Sequence, residues 1–139
     1  MLVALILAAI FASSALAAPA LAKTINGNAG PNVLVGTNRA DIIHGKAGGD
    51  TLRGKGSADR LYGDEGYDKI YGGGGEDRIY GGDQNDTLRG GAGNDRIFTA
   101  GEIRDVVDCG RGKRDLAEVD PRDTVKNCER VRMEPTVTP

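Results

Sequence analysis

One apolar residue recurs every nine positions along most of this chain. The segment 27–98 divides without insertion into eight nonapeptides, each with Gly at position 1, Asp or Asn at position 6 and Leu or Ile at position 8. Position 8 usually lies between polar residues. This pattern predicts a short strand with one inward side chain, because side chains alternate across a strand. The position-8 residues are Leu34, Ile43, Leu52, Leu61, Ile70, Ile79, Leu88 and Ile97.

The six residues before each strand predict a turn. They are rich in Gly, Asp and Asn, which tolerate positive φ and reverse the chain. Two nonapeptides then form one flattened coil of eighteen residues, in the order strand, turn, strand, turn. The apolar residues of odd and even repeats face each other across a thin core. The pattern therefore predicts an all-β parallel solenoid.

Such a core is too thin to be stable alone. Nineteen of the 72 repeat residues are Gly, and each ordered Gly costs roughly 0.5 to 1 kcal/mol more than Ala. The stacked turns of repeats i and i+2 bring position-6 carboxylates close to one another and to peptide carbonyl oxygens. About six hard oxygen ligands of this kind suit Ca²⁺ better than a soft or smaller metal. We therefore expect calcium ions between the coils.

Stacking of alternate repeats defines the candidate ligands and allows six ions at most. The site that includes Asn32 is expected to be the weakest, because an amide supplies no charge. The alternative is that these side chains only form Asx turns and bind nothing. The expected pairs are Asn32 with Asp50, Asp41 with Asp59, Asp50 with Asp68, Asp59 with Asp77, Asp68 with Asp86, and Asp77 with Asp95.

The nonapeptides resemble the repeat of a known family. The unit G-G-x-G-x-D-x-U-x is typical of the RTX (repeat-in-toxin, hemolysin-type) family, and repeats 6 and 8, GGGGEDRIY and GGAGNDRIF, are the most similar to it. The resemblance implies a right-handed parallel β-roll over residues 23–98, with Ca²⁺ as cofactor and the tightest site at Asp77 with Asp95. The large toxins of the family also carry a lytic or enzymatic domain, which we do not expect here.

The first 22 residues predict a signal peptide. Residues 2–16 are apolar or small, and Ala15-Leu16-Ala17 and Ala20-Leu21-Ala22 both have the A-x-A form that signal peptidase accepts. Cleavage after Ala22 is favoured, because Ile25 lies nine residues before Leu34 and already follows the repeat frame. A membrane anchor is the alternative. Cleavage predicts a secreted, extracellular protein with no remaining membrane span.

After residue 98 the nonapeptide pattern becomes irregular but can still be recognised. Val106 lies nine residues after Ile97, and Asp115 occupies position 6 of the segment Gly110–Glu118. We expect Val106 and Val125 to lie on the same side, one coil apart. Residues 99–134 would then form a capping module over the open end of the solenoid, and residues 135–139 a frayed tail.

The two cysteines lie in this capping module. Cys109 and Cys128 each follow their valine by three residues. Stacked coils are about 4.8 Å apart, which is inside the window of roughly 4.4 to 6.8 Å between the Cα atoms of a disulfide. The spacing predicts a Cys109–Cys128 disulfide, with free thiols or a metal pair as alternatives. The stretches VDCGRG and NCE also look like the C-terminal cap of small secreted bacterial RTX-type calcium-binding proteins.

The outward positions of the even repeats suggest a second function. Position 7 there is mostly Arg and position 9 is mostly aromatic, so one face carries two rows that suit an extracellular carbohydrate or cell wall. The alternative is that the rings stack on each other and stiffen the coil. The candidate binding face consists of Arg60, Tyr62, Arg78, Tyr80, Arg96 and Phe98.

Catalysis is not expected. His44 is the only histidine, and no Ser or Cys has a base at a recognisable spacing. A chain of 139 residues with 4% aromatic residues indicates one domain without a conventional core. We expect a monomer that binds no nucleic acid.

Overall fold

The computed structural model of the protein describes residues 22–101 and 103–134. The predicted tail and all of the predicted signal peptide except Ala22 lie outside these residues. Within them the chain forms thirteen strands, and no apolar helix is long enough to cross a membrane. The strands are β1 (Thr24–Asn26), β2 (Val33–Val35), β3 (Ile42–Ala47), β4 (Thr51–Gly56), β5 (Arg60–Glu65), β6 (Lys69–Gly74), β7 (Arg78–Asp83), β8 (Thr87–Ala92), β9 (Arg96–Phe98), β10 (Val106–Arg111), β11 (Leu116–Val119), β12 (Thr124–Lys126) and β13 (Arg130–Met133).

Alternate strands form two parallel sheets. The odd-numbered strands make a seven-stranded sheet and the even-numbered strands a six-stranded sheet, each in chain order. Where two strands of the nonapeptides pair, the partner residues lie eighteen positions apart, such as Leu52 with Ile70 and Leu61 with Ile79. The chain therefore winds through about six coils of two strands each, and the eight nonapeptides account for four of these coils. The predicted all-β parallel solenoid is confirmed.

Three positions of each nonapeptide face inward. Strands β3 to β8 run from position 7 of one repeat to position 3 of the next, and positions 6, 8 and 1 are buried in succession. Every position-8 residue from Ile43 to Ile97 is fully buried, as predicted. Leu34 is only partly buried, because its strand β2 lies at the edge of its sheet. Each sheet therefore contributes one row of aliphatic side chains to the apolar core.

The turns of repeats 3 to 8 share one backbone conformation. Positions 2 and 4 have positive φ in all six of these repeats, including non-glycine residues such as Ser57 (φ 72°) and Gln84 (φ 77°). Positive φ is sterically costly for residues with a Cβ, which explains why Gly predominates at these positions. The first two repeats lack positive φ in their turns.

The expected position of Val106 is wrong by one residue. Val107 is the buried residue and pairs with both Leu88 and Val125, whereas Val106 points outward and is 42% exposed. The chain from Ile97 to Val107 contains one residue more than the nonapeptide frame, and a slip of one residue turns a side chain to the other face of a strand. A second additional residue follows, because Ala117, the next buried residue in register, lies ten residues after Val107.

The capping module is a continuation of both sheets. Ala117 pairs with Ile97 and is fully buried, which agrees with the frame expected around Asp115. The predicted disulfide between Cys109 and Cys128 is present, with its Cα atoms 5.1 Å apart. Gly110 pairs with Gly91, which is a position-2 glycine, so Cys109 replaces the position-1 glycine of its coil. The disulfide therefore links the buried Cys109 of β10 to the partly buried Cys128, which lies two residues after β12 and packs against the core.

Candidate metal sites in the stacked turns

Stacked turns place each position-6 side chain against the backbone of the preceding coil. Oδ1 of each of these Asp side chains accepts a hydrogen bond from the main-chain N–H of the position-6 residue eighteen positions earlier, with N···O distances of 2.6 to 2.9 Å. All six predicted pairs are brought together in this way. We call the series that contains Asp41, Asp59, Asp77 and Asp95 the even ladder, and the series that contains Asn32, Asp50, Asp68 and Asp86 the odd ladder.

Both ladders continue into the capping module. Asp115 accepts from the N–H of Asp95, and Asp105 accepts from the N–H of Asp86, each at 2.7 Å. Sequence reasoning assigned Asp115 to position 6 but did not count it as a ligand, and it missed Asp105. The signal was present, since Asp105 precedes the buried Val107 by two residues, as position 6 precedes position 8 throughout the repeats.

The second oxygen of the inner ladder residues has no hydrogen-bond partner. Eight Oδ2 atoms are buried without any donor, and their side chains are at most 2% exposed. An ionised carboxylate buried without compensation is strongly destabilising. A cation is therefore needed to stabilise these groups in their ionised form. The eight residues are Asp50, Asp59, Asp68, Asp77, Asp86, Asp95, Asp105 and Asp115.

The ladder ends are different, because their carboxylates are satisfied by the protein. Oδ2 of Asp41 accepts hydrogen bonds from the N–H of Thr37 at 2.5 Å and from its Oγ1 at 2.9 Å. At the other end, Oδ2 of Asp123 accepts from Oγ1 of Thr99 at 2.7 Å and from the N–H of Asp120 at 3.0 Å. Apart from Oδ2 of Asp120, the buried carboxylate oxygens without donors thus belong to the inner turns, where coils lie on both sides.

A glycine lies beside each inner carboxylate of the repeats. A Cβ on Gly45 would lie 2.5 Å from Oδ2 of Asp50 and 2.6 Å from the carbonyl oxygen of Gly63. Position-1 glycines do not have positive φ, so these glycines are required for space and not for backbone conformation. A carboxylate oxygen and a carbonyl oxygen from successive coils converge on this space.

The oxygen set fits a hard cation. Within residues 22–101 and 103–134, no three His, Cys, Asp or Glu side chains converge to hold a metal ion. The ligands of a bound ion would therefore be carboxylate oxygens from stacked turns together with main-chain carbonyl oxygens. Calcium prefers six to eight oxygen ligands and accepts irregular geometry, whereas zinc and copper prefer nitrogen or sulfur.

Comparison with protein families agrees with this chemistry. The sequence model of the RTX calcium-binding nonapeptide repeat matches in four copies, over residues 24–52, 35–70, 53–88 and 71–101. Together the matches cover more than half of the chain. The chain belongs to the RTX calcium-binding nonapeptide repeat family. A search of curated proteins gave no match. The RTX repeats bind calcium, and the capping module lies almost entirely beyond the matched residues.

Burial changes the pKa values of the Asp side chains in both ladders. Desolvation, assisted by the charges of neighbouring carboxylates, raises the pKa of seven ladder residues in the metal-free protein, namely Asp59, Asp68, Asp77, Asp86, Asp95, Asp105 and Asp115. At Asp41 desolvation is outweighed by hydrogen bonds from Thr37 and Lys23, and the pKa is lowered. The raised pKa values are about 6 for Asp59, Asp68 and Asp95 and about 7 for Asp77, Asp86 and Asp105.

The aromatic side chains of the predicted binding face lie in one row, and their rings are stacked on each other. His44, Tyr62, Tyr80 and Phe98 form a row with ring centroids 4.5 to 4.8 Å apart and planes within 8° of parallel. A sugar stacks on the face of a ring, and the faces of Tyr62 and Tyr80 are covered by their neighbours. Ring stacking in the aromatic row therefore stabilises the outer face of the seven-stranded sheet.

Three exposed arginines form a second row on the same sheet. Arg60, Arg78 and Arg96 lie side by side on adjacent strands, and we call them the arginine row. None of them forms an ion pair with another residue of the described part of the chain. The row is thus a line of positive charge with one guanidinium per strand.

Substitution of Gly72 tests whether the empty space beside the carboxylates is needed. A Cβ there would overlap Oδ2 of Asp77 and lie 2.6 Å from the carbonyl oxygen of Gly90. Gly72→Ala is expected to raise the calcium concentration at the folding midpoint at least tenfold, measured by circular dichroism. Gly74→Ala is the matched control, because its Cβ would meet only the carbonyl oxygen of Lys55 at 3.8 Å. Equal midpoints for the two variants would contradict the proposed ion cavity.

The raised pKa values predict that acid favours folding when calcium is removed. A carboxyl whose pKa is higher in the folded than in the unfolded state stabilises the fold fully below its unfolded pKa, about 4. This contribution is lost as the pH rises through 6 to 7, the folded values of Asp59 and Asp77. In calcium-free buffer the β signal in circular dichroism should be larger at pH 5 than at pH 8. Saturating calcium should remove this preference, and a larger calcium-free signal at pH 8 would contradict it.

Proposed function

We propose that the protein is a secreted, non-catalytic calcium-binding β-roll whose folding depends on Ca²⁺ held between stacked coils. The observation that carries the proposal is the row of buried Oδ2 atoms without donors beside carbonyl oxygens of the next coil. These atoms belong to the repeat that defines a calcium-binding family. The ligands are the position-6 residues, from Asn32 and Asp41 to Asp86 and Asp95, in six stacked pairs.

The six sites should differ in strength. Pairs that contain Asp77 are flanked by coils on both sides, and its Oδ2 has no donor. Asp41 already receives two hydrogen bonds from Thr37, and Asn32 carries no charge. The first two repeats also lack the positive φ of the other turns. Calcium should therefore bind most tightly in the middle and at the end of the repeats and least tightly at the N-terminal coil.

Mass action is sufficient to make the fold calcium-dependent. For a dissociation constant near 0.1 mM, which is usual for extracellular modules, about 1 mM Ca²⁺ stabilises by roughly 1.4 kcal/mol per site. Six such sites contribute about 8 kcal/mol, which is comparable to the whole stability of an ordinary domain. We infer that the repeats are largely unfolded without calcium.

Export is the second part of the proposal. The Cys109–Cys128 disulfide supports it, because disulfides persist in oxidising compartments. The extracellular space also contains calcium at the concentration that such sites require. The signal sequence predicted for residues 1–22 supports the same location.

Calcium-titrated circular dichroism tests the proposed function. The β signal should develop cooperatively with Ca²⁺ and disappear with excess chelator, while Mg²⁺ at equal concentration should restore little of it. Asp77→Asn should shift the midpoint to higher calcium: two sites weakened tenfold each cost about 3 kcal/mol. Asp41→Asn is the matched control, since it contributes to one pair and its Oδ2 is bonded by Thr37.

Two results would count against the proposed function. A full β signal in excess chelator at neutral pH would show that calcium does not drive folding. Equal shifts for Asp77→Asn and Asp41→Asn would show that the inner carboxylates have no special role.

The arginine row favours one further candidate, the binding of an acidic polysaccharide. Three unpaired guanidinium groups repeat at the strand spacing of about 4.8 Å, close to the length of one sugar unit. In calcium, the protein should be retained on immobilised polygalacturonate, and replacing Arg60, Arg78 and Arg96 by Gln should abolish retention without changing the fold. Replacement of Arg53, Lys69 and Arg89 on the other sheet is the control. Absence of retention, or equal loss in both variants, would exclude this candidate.

A further inference from the structure

We infer that the capping module itself binds two further calcium ions, one at Asp105 and one at Asp115. These residues lie outside the nonapeptides 27–98 to which the six proposed pairs belong. The inference rests on the proposed calcium function, but it concerns a different part of the chain. It is carried by buried, unpaired carboxylate oxygens and by the space beside one of them.

Asp105 is the first of the two sites. The residue is fully buried immediately before β10, and its Oδ1 accepts a hydrogen bond from the N–H of Asp86 at 2.7 Å. Its Oδ2 has no donor, and neither has Oδ2 of Asp120, which is 7% exposed. Asp105 therefore continues the odd ladder with the same arrangement as the position-6 residues of the repeats, one oxygen bonded to the previous coil and one oxygen free.

Asp115 is the second site, on the even ladder. It is fully buried, its Oδ1 accepts the N–H of Asp95 at 2.7 Å, and its Oδ2 has no donor. A Cβ on Gly112 would overlap both carboxylate oxygens of Asp115 and the carbonyl oxygen of Gly93. A carboxylate and a carbonyl from successive coils thus converge beside a glycine, as they do at position 1 of the repeats. Cys109 occupies the position-1 place of this coil, so Gly112 supplies the space instead.

Other carboxylates of the capping module have protein partners. Asp108 accepts a hydrogen bond from Nδ2 of Asn127 at 2.8 Å and forms an ion pair with Lys126 at 3.2 Å. Both oxygens of Asp123 also accept hydrogen bonds. Of the five Asp side chains of the module, only those of Asp105, Asp115 and Asp120 have a buried Oδ2 without a donor, and among these three only Asp105 and Asp115 continue the ladders.

The capping module would then hold the last calcium ions of both ladders in addition to its disulfide. The disulfide fixes β10 to β12 in the six-stranded sheet, whereas the ions would fix the turns that precede β10 and β11. Order in residues 104–119 should then depend on calcium even when the disulfide is intact.

Native mass spectrometry of the full-length, disulfide-bonded protein in calcium tests this inference. It counts the calcium ions bound to each folded molecule. Asp105→Asn and Asp115→Asn should each lose one ion relative to wild type, and the double variant should lose two. An Asn side chain retains Oδ1 as an acceptor for the ladder hydrogen bond, so the fold has the best chance of being preserved. Asp108→Asn is the matched control in the same module and should bind the wild-type number.

The outcomes separate this inference from the proposed function. If wild type binds calcium and both single variants bind the same number, the inference is wrong and the proposed function stands. If wild type binds no calcium, both are wrong. Should the double variant fail to fold, the counts of the two single variants decide, and a loss of one ion in each supports the inference.

Discussion

A buried carboxylate oxygen without a donor is the constraint on which this structure depends. Each inner coil adds one such group to each ladder, one strand spacing from the next. Two unit charges about 4.8 Å apart repel by roughly 3 kcal/mol at an effective dielectric constant of 20. No cationic side chain is among the buried residues of the described chain, so only protons or bound cations can neutralise the ladders. The proposed function therefore couples the fold to calcium concentration and to pH through the same atoms.

The rest of the coil is organised around this electrostatic requirement. Inward positions 6, 8 and 1 provide, in order, the carboxylate, the apolar contact and the empty space beside the carboxylate. One Leu or Ile per nonapeptide closes the core between the sheets, which is much less than an ordinary domain buries. The stacked rings from His44 to Phe98 and the disulfide at Cys109 add contacts that do not require an ion. Stability thus comes from repetition of a weak unit. The disulfide and, in the proposed function, bound calcium compensate for the small core.

The sequence was sufficient to predict the coil, the six stacked pairs and the disulfide, because a strict nine-residue period fixes which residues stack. It was insufficient where the period breaks. One additional residue before β10 moved the buried position from Val106 to Val107, and this slip concealed Asp105. The reason for Gly at position 1 was also not foreseen, since positive φ occurs at positions 2 and 4 instead. That role depends on distances between coils, which a linear pattern does not contain.

Crystallographic location of the ions would test the central claim most directly. Crystals grown in calcium, with terbium replacement to strengthen the anomalous signal, should show two columns of peaks, one peak beside the free Oδ2 of each inner ladder aspartate. No comparable peak should lie at outward carboxylates such as Asp64, Asp83 or Asp108. A map with peaks only at those outward groups, or with none beside the ladders in a folded protein, would contradict the account.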